Sequence, residues 1–278
     1  MLKKDDSRNR KKKMGAEDVF SCDMPRRLIG RVAIVTGGGH GIGKACVWRL
    51  AKEGARIVIA EVDAPAATKV ATHLTGEGYE ALAVPADVAD EASMQRMAKQ
   101  AIEAFGRIDI LVNNAAMVVT VPISRLPFDE IDSDEWDRVM RVNLKGMWLA
   151  SRAVTPQMRE QKYGKIINIG SGTAFIGRAE RIHYVTSKAG VIGFTRSLAR
   201  ALGKDGITVN CVAPGGTLSE ENPDEDTIKR RESVVSSRAI PRIERPEDIV
   251  GAVAFFASPD SDFITGQTLL VNGGDFMH

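Results

Sequence analysis

Short, continuous apolar runs alternate with longer stretches of helical spacing along most of the chain. "RVAIVTGGG" enters a glycine turn and is followed by "IGKACVWRLAKEG", whose apolar residues recur at helical intervals and which stops at Gly54. "ARIVIAE" and "ALAVPADV" repeat the pattern, each ahead of a helical segment, "APAATKVATHLTGEG" and "DEASMQRMAKQAIEAFG". In the second of these, Met94, Met97, Ala98, Ile102 and Phe105 mark the apolar positions. "RIDILVNNA", "GKIINIGS", "ITVNCVAPGG" and the closing "TGQTLLVNGG" are further strand candidates, with helical segments "DEWDRVMRVNLKGMWLASRAVTPQMREQ", "YVTSKAGVIGFTRSLARALGKDG" and "RPEDIVGAVAFFASPDSDF" between them. A strand with one wet face alternates apolar and polar residues, whereas one covered on both faces is apolar throughout. The runs here are of the second kind and predict parallel βα units with helices on both faces of the sheet. No Pro/Gly/Ser-rich linker or repeat interrupts them, so one doubly wound, mostly parallel α/β domain is expected over residues 28–278.

Residues 1–27 depart from this pattern. "MLKKDDSRNRKKK" sets Lys3, Lys4, Arg8, Arg10, Lys11, Lys12 and Lys13 against Asp5 and Asp6 with almost nothing apolar to bury, so a disordered basic extension is expected there. The whole chain carries a formal charge of only +2 with 44% hydrophobic residues, and no nucleic-acid partner is expected. No apolar run of signal-peptide character follows the extension, and no segment has the consecutive apolar residues of a membrane span. Cys22, Cys46 and Cys211 are far apart, with no close pair and no nearby His cluster. They make neither a disulfide framework nor a metal site, and they fit a reducing compartment; the cytoplasm is the expected location.

Candidate chemistry concentrates at the ends of the predicted strands. "TGGGHGIG" follows a strand and opens a helix. Glycines there permit left-handed backbone and close approach of a phosphate to backbone amides, while the helix N-terminus adds partial positive charge. Gly37, Gly41, Ile42 and Gly43 are the candidate contacts. Glu61 falls 24 residues after Gly37, at the end of the second strand, where a carboxylate can accept hydrogen bonds from a ribose diol. Its charge repels a 2′-phosphate, and no Arg or Lys at 38–40 or directly after Glu61 offsets it, which favours NAD over NADP. Asp87 and Val88 follow the third strand, where an adenine pocket would lie; a solvent-facing helix cap is the competing use of Asp87. Asn114 follows the fourth strand and is expected to face the ligand. Tyr184 and Lys188 stand four apart on one helix face. A phenol, with a reference pKa of about 10, is a poor base at neutral pH unless a nearby cation favours its charged form.

These fragments, in this order, are similar to the short-chain dehydrogenase/reductase family. The resemblance rests on "TGGGHGIG", Asp87–Val88, "NNAA" at 113–116, Asn143 in "VMRVNLKG", Ser171 in "INIGSG", "YVTSK" at 184–188, "NCVAPGG" and "ITGQTLLVNGG", with 13 residues from Ser171 to Tyr184. It covers essentially residues 28–274 and implies a Rossmann-type fold, nicotinamide-dependent interconversion of a secondary alcohol and a ketone, and a homotetramer or dimer. Carried over by position, it makes Tyr184 the general acid/base and Ser171 the partner of the substrate oxygen. Lys188 would lower the tyrosine pKa and hold the nicotinamide ribose, and Asn143 would join a water-linked proton relay. Asn114 would lie near that same ribose and Thr217 near the carboxamide. Ala116 stands where many relatives have Gly, Thr217 where Ile or Val is frequent, and Glu61 where Asp is commoner.

Substrate choice is expected to rest on residues 117–126, 172–182 and 216–242, because loops on a rigid scaffold carry specificity. Arg230, Arg231, Arg238 and Arg242 would either attract an anionic substrate or form a solvated charged surface. Met117, Val118, Val119 and Val121 would line an apolar wall or join the core, and His183 is expected at the helix surface or an interface. The substrate is a small molecule: a cyclic alcohol, a polyol or a similar hydroxy compound. Two alternatives stand beside it, a 3-oxoacyl thioester reductase using NADPH and a non-catalytic NAD-binding sensor or scaffold.

Overall fold

The computed structural model describes residues 26–118 and 121–277. Nearly all of the basic extension, Cys22 and Val119 therefore lie outside the described residues. Among the described residues, seven strands, β1 (Val32–Thr36), β2 (Arg56–Glu61), β3 (Ala81–Pro85), β4 (Ile110–Asn113), β5 (Gly164–Ile169), β6 (Ile207–Pro214) and β7 (Thr268–Val271), form one sheet. Their order is β3-β2-β1-β4-β5-β6-β7, and every neighbouring pair is parallel. The helices are α1 (Gly41–Lys52), α2 (Ala64–Gly76), α3 (Glu91–Phe105), α4 (Ser133–Met140), α5 (Gly146–Gln161), α6 (Thr173–Ile176), α7 (Ile182–Leu202), α8 (Glu225–Glu232) and α9 (Pro246–Ala257).

Successive residues of one strand enter opposite cores, which is why the strands are apolar throughout. Ala33 and Val35 of β1, with Ile57 and Ile59 of β2, pack against Leu50, Leu74 and Val253 of α1, α2 and α9. Val32, Ile34 and Val58 point the other way, into a core with Met94 and Met97 of α3 and Leu149 and Val154 of α5. Among the described residues, no helix is long and apolar enough to cross a membrane.

The chain winds outward in one direction from β1 to β3 and in the other from β4 to β7, so the strand ends part between β1 and β4. Such a switch point leaves a crevice at the carboxyl edge of the sheet. The glycine turn stands at that crevice. Gly37 and Gly41 have φ of 64° and 47°, the left-handed region that glycine tolerates best. A Cβ at position 43 would lie 1.9 Å from the Gly37 carbonyl oxygen, so α1 starts against the turn itself. From the far side of the crevice, the Asn114 amide donates to the carbonyls of Thr36 (3.0 Å) and Gly37 (2.9 Å). The Thr36 hydroxyl in turn accepts from the backbone N–H groups of Asn114 (3.0 Å) and Ala115 (3.2 Å).

The long helical pattern after residue 133 is not one regular helix. A π turn at Arg141–Lys145 separates α4 from α5. Asn143, fully buried in that turn, accepts from the Met117 N–H (2.8 Å) through Oδ1 and donates from Nδ2 to Ser187 Oγ (3.3 Å). The wider turn accommodates one extra residue where α4, packed on α7, gives way to α5, packed on β4 and β5, a local change that apolar spacing does not mark.

In an exposed helix, Gly→Ala is stabilising by about 1 kcal/mol. At Gly43 the contact with Gly37 reverses the sign: Gly43→Ala is expected to cost roughly 2 kcal/mol or more, read as a lowered urea midpoint.

Candidate active site

A cleft of about 940 Å³ runs along the carboxyl ends of the strands. Of the residues singled out in the sequence, Gly37, Gly41, Ile42, Glu61, Asp87, Val88, Asn114, Ser171, Tyr184, Lys188 and Thr217 line it. Gly43 and Asn143 do not; they stand behind the wall, one supporting the glycine turn and the other joining α7 to the segment after β4.

On the β1–β3 side, the Glu61 carboxylate is nearly buried. Its Oε2 accepts from the Gly39 N–H at 3.1 Å, and its Oε1 from those of Val62 (2.9 Å) and Asp63 (3.2 Å). A carboxylate has about four acceptor sites, so capacity remains for one more donor. Among the described residues, no Lys or Arg pairs with Glu61; Lys44 is occupied by Glu221 at 2.7 Å. The helix cap, the competing use for Asp87, falls to Asp90, whose carboxylate accepts from the N–H groups of Ala92 and Ser93. Asp87 instead holds the turn before α3, accepting from the Ala89 N–H at 2.8 Å while its own N–H donates to Ser93 Oγ at 3.0 Å.

On the other side, Ser171 comes two residues after β5, and α7 begins at Ile182, which puts Tyr184 in its first turn and Lys188 one turn later. The Lys188 ammonium donates to the Ile169 carbonyl at 2.8 Å, so the end of β5 carries the serine and anchors the lysine. Tyr184 packs on Met117, Ile123 and Val139 and lines the cleft together with Ser171. Ser171 Oγ also accepts from the Thr173 N–H (3.2 Å) and hydroxyl (2.9 Å). Burial pushes the Tyr184 phenol up, while Ser171 and the positive charges of Arg181 and Arg231 pull it down. Burial pulls the Lys188 ammonium down from 10.5 to about 8, with Cys211 opposing the shift. A phenol and a serine hydroxyl lining one cleft, with an ammonium one helical turn away, are equipped to exchange a proton with an oxygen bound between phenol and serine.

Two residues, His183 and Arg238, lie differently from expectation, while Arg242 takes the solvated surface position that was its alternative. His183 is fully buried, its Nε2 3.1 Å from Glu135 Oε1, which joins α7 to α4 rather than facing outward. Arg238 turns inward beneath the loop after β6, where it pairs with Glu244 at 3.3 Å and donates to the Gly216 carbonyl at 3.2 Å. Arg242 pairs on the surface with Asp248 at 2.6 Å. Only Arg230 and Arg231 of that set line the cleft. Thr217 donates its hydroxyl to Glu244 at 2.8 Å, so its side chain braces the loop. Sequence reasoning missed Glu244, which lies in no recognisable motif and acquires its place through Gly215 and Thr217, 29 and 27 residues back along the chain; Arg125 falls within the expected substrate segment 117–126 without having been singled out there. Below the site, Asn113 Nδ2 donates to Asn168 Oδ1 (2.9 Å), and Asn168 Nδ2 donates to Thr195 Oγ1 (2.9 Å), which ties β4, β5 and α7 together. Among the described residues, no group of His, Cys, Asp and Glu is placed to hold a metal ion.

The depressed Lys188 pKa makes stability depend on pH. Below about pH 8 the lysine is protonated folded or unfolded, and the native state carries the whole cost of burying the charge. Between about 8 and 10.5 only the unfolded chain keeps the proton, so stability rises with pH. The full change is on the order of 3 kcal/mol. The stability difference between Lys188→Met and wild type is expected to move in the wild type's favour across that window, measured by urea denaturation at stepped pH.

The sequence model described as short chain dehydrogenase matches residues 31–228. The (2S)-[(R)-hydroxy(phenyl)methyl]succinyl-CoA dehydrogenase subunit BbsD of Thauera aromatica is 41% identical over 247 residues, 88% of this chain and 96% of that protein. The 3-oxoacyl-[acyl-carrier-protein] reductase FabG of Staphylococcus aureus is 37% identical over 246 residues, 88% of this chain and 98% of its own. The crystal structure of a dehydrogenase/reductase from Sinorhizobium meliloti 1021 superposes with a TM-score of 0.81 at 35% identity, covering 91% of this chain and 97% of that one. With the parallel sheet, the glycine turn and the Ser171–Tyr184–Lys188 arrangement, these likenesses make the chain an oxidoreductase of the short-chain dehydrogenase family.

Proposed function

We propose that the protein interconverts a secondary alcohol and its ketone with NAD(H). The observation that carries this reading is the gathering of Ser171, Tyr184 and Lys188 in the same cleft as the glycine turn, with Lys188 anchored to the end of β5. The residues present fit a nicotinamide dinucleotide. The turn has left-handed glycines and no room for a Cβ at Gly37 or Gly43, and a carboxylate with spare acceptor capacity stands at the end of β2. When bound, the nicotinamide supplies the hydride acceptor in one direction and the donor in the other.

The chain's own part is binding, orientation and proton transfer. Gly37, Gly41, Ile42 and Gly43 shape the diphosphate site, Glu61 faces the adenosine ribose, and Asp87 and Val88 flank the adenine. Asn114, Lys188 and Thr217 serve the nicotinamide end. During oxidation Tyr184, as phenolate, takes the proton of the substrate hydroxyl, and during reduction it returns one to the carbonyl oxygen. Ser171 orients that oxygen, and Lys188 stabilises the phenolate. The Asn143 side chain is already committed to Met117 and Ser187, which leaves the main chain of the π turn to hold the water of the relay. The complete set argues against a non-catalytic sensor or scaffold. Family resemblance supports a homotetramer, and the cysteine usage supports a cytoplasmic location.

A second reading, a 3-oxoacyl thioester as the ketone, is favoured by the names of the relatives. One acts on a 3-oxoacyl carrier-protein thioester, and the other on an alcohol beside C2 of a succinyl thioester. The same proton-transfer residues would serve it, because a 3-oxoacyl group is itself a ketone.

Tyr184→Phe removes one oxygen and little packing. It is expected to lower kcat by about 10²–10⁴-fold while NADH still binds by fluorescence titration; substantial remaining turnover would sink the acid/base assignment. Wild type is expected to favour NAD over NADP by at least about tenfold in kcat/KM, a preference that narrows in Glu61→Gln, which keeps acceptor oxygen but not charge. A wild type that prefers NADP overturns the repulsion argument.

A further inference from the structure

The substrate end of the cleft holds charge that the proton-transfer residues leave unused. Arg125, Arg178, Arg181, Arg230 and Arg231 all line it, brought together from the loop after β4, the segment between α6 and α7, and α8. The carboxylates at that end are Glu180, Glu220 and Asp275. Two of them are engaged: Glu220 accepts from Arg231 at 3.1 Å, and Asp275 accepts from the Ser237 hydroxyl. The guanidiniums of Arg125, Arg178 and Arg181 form no hydrogen bond or ion pair with any described residue, and the Nε groups of Arg181 and Arg231 are buried without a partner. Buried donors are paired in most native structures, and an exception asks for a missing acceptor. The crowding is felt within the cluster. Burial first, then the neighbouring arginines, lower the pKa of Arg125 and Arg181. An anion seated among them would relieve both the repulsion and the unpaired N–H groups.

We propose that the substrate carries a carboxylate close to its reacting carbon, held by Arg181 and Arg231 with Arg125 at the rim. This rests on the dehydrogenase reading above and narrows its substrate class to a hydroxy acid and the matching oxo acid, whether or not a thioester is also present. The position follows from the fold: Arg181 immediately precedes α7, three residues before Tyr184, and lines the same cleft as Tyr184 and Arg231, so the group they hold belongs near the carbinol. The distal phosphates of a long carrier would lie well beyond that reach. The planar fork of a guanidinium matches the two oxygens of a carboxylate.

The test is calorimetric titration of acetoacetate and 3-oxoglutarate against their methyl esters, with acetoacetyl-CoA as the phosphate-bearing arm. Titrating the full-length protein with and without NAD separates this proposal from the cofactor reading, and a ketone has no hydride donor in either case. Acids are expected to bind at least about tenfold more tightly than their esters. Arg181→Gln and Arg231→Gln should each remove most of that difference, Arg231→Lys should keep part of it, and the exposed Arg125→Gln should weaken it with an unchanged melting temperature. Equal binding of acids and esters overturns the proposal, as does a preference that survives in the Arg181→Gln/Arg231→Gln double variant. Arginine dependence confined to acetoacetyl-CoA also overturns it and assigns the cluster to carrier phosphates. Loss of the NAD signal alone, with the acid preference intact, would count against the cofactor reading only.

Discussion

The Gly37 carbonyl occupies the space that a methyl group at position 43 would need, and that contact fixes where α1 begins. Asn114 then draws its own strand to the same carbonyl and to that of Thr36, holding together the two halves of a sheet whose strands diverge at this point. From Asn114 the geometry passes inward. Asn113 joins β4 to Asn168 of β5, and Asn168 reaches Thr195 of α7. The helix that carries Tyr184 and Lys188 is thereby referenced to the glycine turn by side-chain amides. Buried amides are costly when unpaired and tolerate little displacement when paired, so this polar course sets distance where apolar packing sets only proximity.

Burial acts on Tyr184 and Lys188 in opposite senses of pKa but the same sense of charge: it favours the neutral form of each. The phenol is raised and the ammonium lowered to about 8, which opens a gap between two groups that are nearly matched in water. The remaining difference is adjusted from outside the pair. Ser171, Arg181 and Arg231 each pull the phenol down from the cleft wall. The proton's position therefore depends on what occupies the cleft, a useful property for a group that must both take up and release a proton.

Much of the architecture was legible because a parallel sheet covered on both faces leaves an unambiguous trace. Runs such as "VAIV" and "IVIA" have no polar member, and β1 and β2 form where they stand. The glycine turn and the Tyr184–Lys188 spacing were readable for a similar reason, since both are local constraints written within eight residues or fewer. What escaped depends on contacts between distant segments. The π turn at Asn143 owes its place to Met117 and Ser187, and His183 is buried only because α4 brings Glu135 to it. The arginines divided likewise: Arg238 found Glu244 and Arg242 found Asp248, while Arg231 remained in the cleft beside Arg125, a residue with no motif around it. Charge along a sequence does not reveal which face it will end on.

The Glu61 carboxylate staples three backbone N–H groups, from Gly39, Val62 and Asp63, while also presenting its charge to the cleft. Selection on what the cleft accepts is therefore coupled to selection on folding. Any lineage drifting away from an acid at this position would first have to acquire another acceptor for those amides. An otherwise simple change in ligand charge becomes a path of at least two steps, and the first step confers nothing on catalysis.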